Sequence, residues 1–92
     1  MKVVLSHRAT VGLMAQIDWL ARLSPSAAAD ADAAIRHGLK SLEVFPAAGR
    51  ATNQEERKWV VPFGRDGFIV IYRIEGDRVV IGRLLHGRQD RG

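Results

Sequence analysis

Cysteine is absent from this 92-residue sequence, and so is any long apolar run. Without cysteine there is neither a disulfide framework nor a thiolate metal site. No stretch approaches the roughly 20 apolar residues that cross a bilayer, and none follows Lys2 as it would in a secretory signal. We therefore expect a cytoplasmic protein without a membrane partner. His7 and His37 have no ligand set around them, so we predict no metal and no cofactor.

The composition is otherwise that of a globular chain, with 47% hydrophobic residues, and its length fits one small domain over residues 1–92. Charge is unevenly distributed. Up to Pro46 there are five Lys and Arg against four acids, and after it nine against six. Eight of those nine cations are arginine, which suits bidentate binding of carboxylate or phosphate. The excess predicts a negatively charged partner, either nucleic acid or an acidic protein.

Two stretches of the first half have helical periodicity. In ATVGLMAQIDWLARL (residues 9–23), Trp19 lies beside the apolar stripe and Arg22 nearly opposite it. The stripe consists of Ala9, Leu13, Ile17 and Leu20. Ser24-Pro25 has the pattern of an N-cap followed by proline at the first helical position, and Pro46 marks the end of that second helix. Its stripe consists of Ala28, Ala31, Ile35, Leu39 and Leu42. The short link predicts an antiparallel helical hairpin.

Strand patterns flank the helices. KVVLS (residues 2–6) precedes them, and three more follow a polar connector at residues 47–56: RKWVVPF, GFIVIYRI and RVVIGRLLH. Pro62 suits only a strand end or a sheet edge. The order predicts an α+β fold, β-α-α-β-β-β, with the helical hairpin packed on one face of a small, mostly antiparallel sheet. We expect the core to contain Leu13, Ile17, Leu20, Ile35, Leu39, Leu42, Phe68, Val70 and Tyr72.

The turn between the last two strands can close in two ways. The two ways direct the side chains of the last strand to opposite faces of the sheet. A two-residue turn at Gly76-Asp77 would put Arg73 on one face with Val80, Leu84 and His86. A three-residue loop at residues 75–77 would instead put Arg73 with Ile81 and Arg83. We favour the two-residue turn, because it gathers cations on the face away from the helices.

The order of elements and three stretches of sequence resemble the RelE/ParE superfamily of toxins from type II toxin–antitoxin modules. The stretches are FPAAGR after the second helix, GFIVIYRIEGDRVVIGRLL in the hairpin, and HGRQD near the end. The resemblance covers essentially the whole chain. It implies a small growth-inhibiting toxin of the plasmid-stabilisation type, held inactive by a co-expressed antitoxin.

The superfamily has two functional branches, which the sequence separates in part. Members resembling RelE cut messenger RNA on the ribosome. They typically carry an arginine three residues before the central-strand tyrosine, and a tyrosine or a histidine–tyrosine pair near the C-terminus. Here that tyrosine is Tyr72, the residue three before it is Ile69, and no tyrosine follows. If the protein is an enzyme, the resemblance leaves His86 and Arg88 as the catalytic candidates, for proton transfer and charge stabilisation.

The sequence is closer to the ParE branch, whose members act by poisoning DNA gyrase, which implies a binding protein and not an enzyme. The alternatives are ribosome-dependent cleavage of messenger RNA, and a degenerate toxin that only binds its antitoxin. We expect the antitoxin to lay an acidic and apolar C-terminal segment across the sheet and the helical hairpin. Arginine and tryptophan are enriched among binding hot spots, although Trp19 also suits the rim of the toxin's own core. The predicted partner-binding residues are Trp19, Arg57, Arg65, Arg73, Arg83, His86 and Arg88.

Overall fold

A computed structural model, which describes residues 1–90, has two helices on one face of a five-stranded sheet. The helices are α1 (His7–Leu23) and α2 (Pro25–Val44). The strands are β1 (Lys2–Leu5), β2 (Arg50–Ala51), β3 (Arg57–Val61), β4 (Phe68–Glu75) and β5 (Arg78–His86), and a 3₁₀ turn (Gly87–Asp90) follows. The sheet order is β1-β5-β4-β3-β2, with β1 parallel to β5 and the other pairs antiparallel. The predicted α+β fold is confirmed, and the two-residue β2 within the polar connector is additional.

Serine side chains set both helix starts. Ser6 Oγ accepts the N–H of Ala9 at 3.1 Å, and Ser24 Oγ accepts the N–H of Ala27 at 3.2 Å. The backbone N–H of Ser24 also donates to the carbonyl of Leu20 at 2.7 Å, so one residue ends α1 and begins α2. The predicted helical hairpin, with proline at the first position of α2, is confirmed.

The core lies between the helices and the inner face of the sheet. Five of the nine predicted core residues are almost wholly buried: Ile35 and Leu42 of α2, and Phe68, Val70 and Tyr72 of β4, each at no more than 1% exposure. The other four predicted core residues are half-buried and pack against these buried side chains: Leu13, Ile17, Leu20 and Leu39. The predicted core is therefore confirmed, and α1 is the less deeply covered of the two helices.

The hairpin of β4 and β5 closes with the two-residue turn that the sequence favoured. Glu75 pairs with Arg78, and Arg73 pairs with Val80. Near the turn, the pairing is therefore the expected one, and Arg73 lies on the open face of the sheet, away from the helices.

Farther along β5, a β-bulge changes the facing. The pairing with β4 shifts by one residue next to Ile71, and Gly82 is the extra residue. Beyond it, Leu84 and His86 lie on the helix-covered face. The prediction that these two residues share a face with Arg73 is wrong, because the bulge reverses the alternation of side chains after Gly82.

Candidate functional site

A cleft of about 660 Å³, here called the α1 cleft, opens between α1 and the end of the sheet at which β5 finishes. Four of the predicted partner-binding residues line it: Trp19, Arg65, His86 and Arg88. The other lining residues are Ala15, Gln16, Arg22, Phe63, Gly64, Asp66 and Gln89. Three segments far apart in sequence thus meet at this cleft: α1, the loop between β3 and β4, and the 3₁₀ turn.

Aromatic rings form one side of the α1 cleft. The His86 ring stands edge-on to Phe68 with ring centroids 6.1 Å apart, and Phe63 stacks on Phe68 at 5.4 Å. Trp19, on the α1 side, is 51% exposed, so it contributes little to the core and presents its ring to solvent. The site therefore combines an apolar surface with cationic side chains, which suits a ligand that carries both apolar and negative groups.

His86, Arg88 and Asp66 are joined by hydrogen bonds. Nδ1 of His86 accepts the backbone N–H of Arg88 at 3.1 Å, and Nε of Arg88 donates to Oδ2 of Asp66 at 3.1 Å. The Arg88 side chain is still 71% exposed. Since Nδ1 is the acceptor, a neutral His86 ring carries its proton on Nε2 and can only donate from that atom.

Close packing fixes the HGRQD stretch. A Cβ at Gly87 would lie 2.0 Å from the carbonyl oxygen of Asp66, so only glycine fits there. Oε1 of Gln89 accepts the backbone N–H of His86 at 2.7 Å and the side-chain amide of Gln16 at 3.1 Å. These contacts tie the 3₁₀ turn to both α1 and the loop before β4, and they position His86 and Arg88.

The remaining predicted residues lie elsewhere. Arg57 and Arg73 line a separate cavity of about 580 Å³, where Arg73 is paired with Glu75. Arg83 lies on the open face with Arg73 and lines a third cavity of about 260 Å³ beside the α1 cleft. The seven predicted partner-binding residues therefore line three cavities and not one.

Arg57 and Tyr72 hold the loop after α2. The Tyr72 hydroxyl donates to the carbonyl of Pro46 at 2.7 Å and accepts the N–H of Gly49 at 2.9 Å. Arg57 donates to the carbonyls of Ala47 and Gly49 at 3.2 and 2.8 Å. We call this group, residues 46–49 with Arg57 and Tyr72, the Tyr72 anchor. It explains the FPAAGR stretch, because a Cβ at Gly49 would lie 2.6 Å from the Tyr72 hydroxyl.

Several residues of the α1 cleft are not among those predicted from the sequence. Arg22 lines the cleft, although it lies nearly opposite the buried stripe of α1. Its spacing from Trp19 was the available signal, since residues three apart on a helix are neighbours. No local pattern marked Gln16, Phe63 or Asp66, which reach the cleft through tertiary contacts alone.

Two further properties bear on the kind of site. Among the side chains that the structure describes, no three of His, Cys, Asp or Glu lie close enough to hold a metal ion together. Neither helix of the described part of the chain is long and apolar enough to span a membrane.

Comparison with known proteins identifies the family of the chain. Residues 3–91 match the family described as the ParE toxin of the type II toxin–antitoxin system parDE. Toxin RelE1 of Caulobacter vibrioides is 33% identical over 89 residues, which span 97% of this chain and 96% of that protein. Toxin RelE3 of the same organism is 35% identical over 89 residues, 97% of each chain. The chain therefore belongs to the ParE toxin family, and it is the toxin of a type II toxin–antitoxin system with an antitoxin protein as its partner.

Proposed function

We propose that this toxin poisons DNA gyrase by binding to it and does not cleave messenger RNA. The observation that carries the proposal is Ile69. It occupies the position at which the ribonuclease branch has an arginine, and it is only 6% exposed on the open face of the sheet. An isoleucine cannot stabilise charge on a scissile phosphate, so the cation that the ribonuclease branch has at this position is missing.

The two groups best suited to proton transfer are also already engaged. The Tyr72 hydroxyl is buried, and its hydrogen bonds go to Pro46 and Gly49. His86 uses the lone pair of Nδ1 to accept the N–H of Arg88. A general base must present an unprotonated nitrogen or oxygen to its substrate, and a neutral His86 presents Nε2–H instead. Binding of a target requires no such base.

The α1 cleft has the composition of a protein-binding surface. Trp19 is half exposed, and the exposed arginines Arg22, Arg65 and Arg88 surround it. Tryptophan and arginine are the residues most often found as hot spots of protein interfaces. Membership of the ParE family and this surface together support a toxin that acts by occupying its target.

The test is a pair of assays with toxin freed from its antitoxin. Purified gyrase is assayed for supercoiling and for cleaved DNA, and a translation reaction is assayed for the integrity of its message. We expect lost supercoiling, trapped cleaved DNA and intact message. Trp19→Ala and Arg65→Ala should weaken the inhibition, whereas Arg36→Ala, an exposed arginine of α2 outside the cleft, should not.

Messenger RNA cleavage is the second candidate, because His86 and Arg88 lie beside Arg22 and Arg65 in one cleft that a phosphate can enter. Codon-specific cuts in the message with gyrase unaffected, abolished by His86→Ala or Arg88→Ala, would replace the proposal with this one. A toxin that binds its antitoxin but affects neither target would instead be degenerate.

A further inference from the structure

We propose that two copies of this toxin associate through the edge of β4 next to its turn, with Ile74 of one copy opposite Ile74 of the other. The two strands run antiparallel about a twofold axis and join the two sheets into one continuous sheet. The inference goes beyond the proposed function. It concerns the toxin free of its antitoxin and does not depend on which target the toxin poisons.

The last three residues of β4 have a strand on one side only. β3 begins at Arg57, which pairs with Tyr72. It therefore stops short of residues 73–75, which pair on their other side with β5. We call these three residues the β4 edge. Among the described residues, no strand pairs with their outer side, and such an edge is a ready template for pairing with another chain.

A cavity of about 580 Å³ lies along the β4 edge. The turn that joins β2 to β3 stands across it and contributes Gln54 and Glu55 to its lining. This turn satisfies its own backbone, since Oδ1 of Asn53 accepts the N–H groups of Glu55 and Glu56, each at 2.8 Å. These donors of the turn are thus engaged within the turn, and the space beside the β4 edge is open to a strand from another molecule.

The sequence of the β4 edge is complementary to itself. In an antiparallel pair centred on Ile74, Arg73 of each copy lies opposite Glu75 of the other. Both side chains are on the open face of the sheet, because they are two residues apart on one strand. Opposite charges at directly opposed positions stabilise an antiparallel pair, and like charges destabilise it. Within one copy Arg73 and Glu75 form an ion pair whose side chains are 53% and 40% exposed, so both remain accessible to a second copy.

The charge around the β4 edge selects a second copy as the partner. The cavity beside it is lined by two arginines, Arg57 and Arg73, and by two acids, Glu55 and Glu75. The lining of the α1 cleft has three arginines against one acid. A chain with a net charge of +4 repels a copy of itself at such a basic surface and not at a balanced one. Nucleic acid or an acidic segment would need an excess of cations, which the β4 edge does not offer.

Apolar side chains are exposed on the helix side of the β4 edge. Ile74 is 38% exposed, although it shares a face with the buried Tyr72. At the end of α2, Val44 and Phe45 are 66% and 67% exposed. The residue after them, Pro46, accepts the Tyr72 hydroxyl, so this end of α2 lies close to β4. Exposed apolar surface rimmed by polar residues marks a protein interaction site, and pairing of two copies removes Ile74 from water.

The edge of β3 is the competing surface. Within the described part of the chain, its residues 59–61 have no strand partner beyond the two residues that pair with β2. Val60 among them is 53% exposed, on the open face of the sheet. None of these three residues is charged, so no ion pair selects a second copy or sets its register. Pro62, which follows, has no N–H with which to extend a ladder. The β4 edge is therefore the more specific of the two.

The experiment is sedimentation equilibrium of the full chain, freed from its antitoxin, over a range of concentrations. We expect a reversible dimer. Arg73→Glu places two acids opposite each other and should weaken the dimer by about tenfold or more. Adding Glu75→Arg to that variant returns opposite charges to opposed positions and should restore the dimer. Arg36→Glu, which breaks the exposed ion pair with Asp32 on α2, is the matched control and should leave the dissociation constant unchanged.

A cysteine substitution tests the register, since the sequence has no cysteine of its own. Directly opposed residues of an antiparallel pair have Cα atoms about 4.5–5.5 Å apart, a separation that a disulfide spans. Ile74→Cys should therefore give a disulfide-linked dimer under mild oxidation. Leu23→Cys, at an exposed position where α1 ends, is the control and should stay monomeric under the same conditions. Thermal unfolding of each variant shows that it is folded before the comparison is made.

Three outcomes would overturn the inference. One is a free toxin that stays monomeric at every concentration, including the case in which Arg73→Glu weakens only the binding of the antitoxin. Another is a dimer that Val60→Glu abolishes and Arg73→Glu leaves intact, which would place the contact on β3. The third is a folded variant with both Arg73→Glu and Glu75→Arg that does not regain the dimer. None of these involves gyrase, so failure of the proposed target shows only in the supercoiling assay.

Discussion

The Tyr72 anchor and the α1 cleft lie toward opposite ends of β4, and both combine arginine, an aromatic ring and a closely packed glycine. In the anchor, Arg57 and Tyr72 direct their polar groups to the backbone of residues 46–49. In the cleft, Arg88 makes a side-chain bond to Asp66 and remains 71% exposed. The same residue types therefore hold a loop at one end and face solvent at the other.

What separates the two regions is the supply of backbone acceptors. The loop after α2 brings the carbonyls of Ala47 and Gly49 to Arg57, and Nη1 of the guanidinium donates to both. At the cleft, the exposed Arg22 and Arg65 stand around a cavity instead. An arginine in a strand pattern therefore points to a partner-binding site only where its guanidinium has no hydrogen-bond acceptor within the folded protein.

Both regions rest on one core, and the largest expected effect comes from breaking it. Ile35→Ala removes a side chain that is 1% exposed between α2 and the sheet. We expect a loss of about 2–5 kcal/mol in the free energy of unfolding, measured by denaturant titration. Leu23→Ala, at an exposed position of α1, is the control and should cost far less. Equal effects of the two changes would contradict the assignment of the core.

The anchor alone is tested by Tyr72→Phe. The change keeps the ring and leaves the N–H of Gly49 and the carbonyl of Pro46 without their partner. We expect a loss of about 1–3 kcal/mol in the free energy of unfolding, because these groups are screened from water. Ser41→Ala removes an exposed hydroxyl bond to the carbonyl of His37 and should cost less. The comparison of the two regions fails if the tyrosine hydroxyl proves dispensable for stability.

The cleft is tested by two glycines near the end of β5. Gly87→Ala would place its Cβ 2.0 Å from the carbonyl oxygen of Asp66, whereas at Gly82 the nearest atom is 3.7 Å away. We expect Gly87→Ala to cost about 1–3 kcal/mol by overpacking and to displace the 3₁₀ turn. Gly82→Ala should be tolerated better. Thermal unfolding compares the two variants, and an unchanged midpoint for Gly87→Ala would show that the turn does not need this contact.

The smallest expected losses in the free energy of unfolding come from replacing one arginine of each region. Arg57→Ala removes two hydrogen bonds from a charged group to backbone carbonyls and should cost about 1–2 kcal/mol. Arg88→Ala removes an exposed ion pair with Asp66 and should cost less than about 1 kcal/mol. Denaturant titration of both variants, at low and at high salt, gives the comparison. A larger loss for Arg88→Ala would mean that the cleft arginine is the structural one.

Much of the fold could be predicted from the sequence because its signals are local. Ser24-Pro25 marks a helix boundary within two residues, and the stripes containing Ile35 and Leu42 repeat at helical spacing. The strands follow from alternation in the same way, whereas residues 75–77 allowed two turns, of which the favoured two-residue turn at Gly76-Asp77 is the one observed. The two-residue β2 escaped prediction, because it is too short to have a pattern and forms by pairing with β3.

The sequence by itself determined the order of elements, the helix caps, the buried stripes and the resemblance to toxins. Tertiary structure alone decided which arginines are free of the protein's own backbone and can bind a partner. The bulge at Gly82 turned His86 to the helix side, and the loop after α2 engaged Arg57. The α1 cleft brought Trp19 and Arg22 to Arg65 and Arg88. Local patterns report the spacing of neighbours along the chain, whereas contacts between distant segments depend on how whole elements pack.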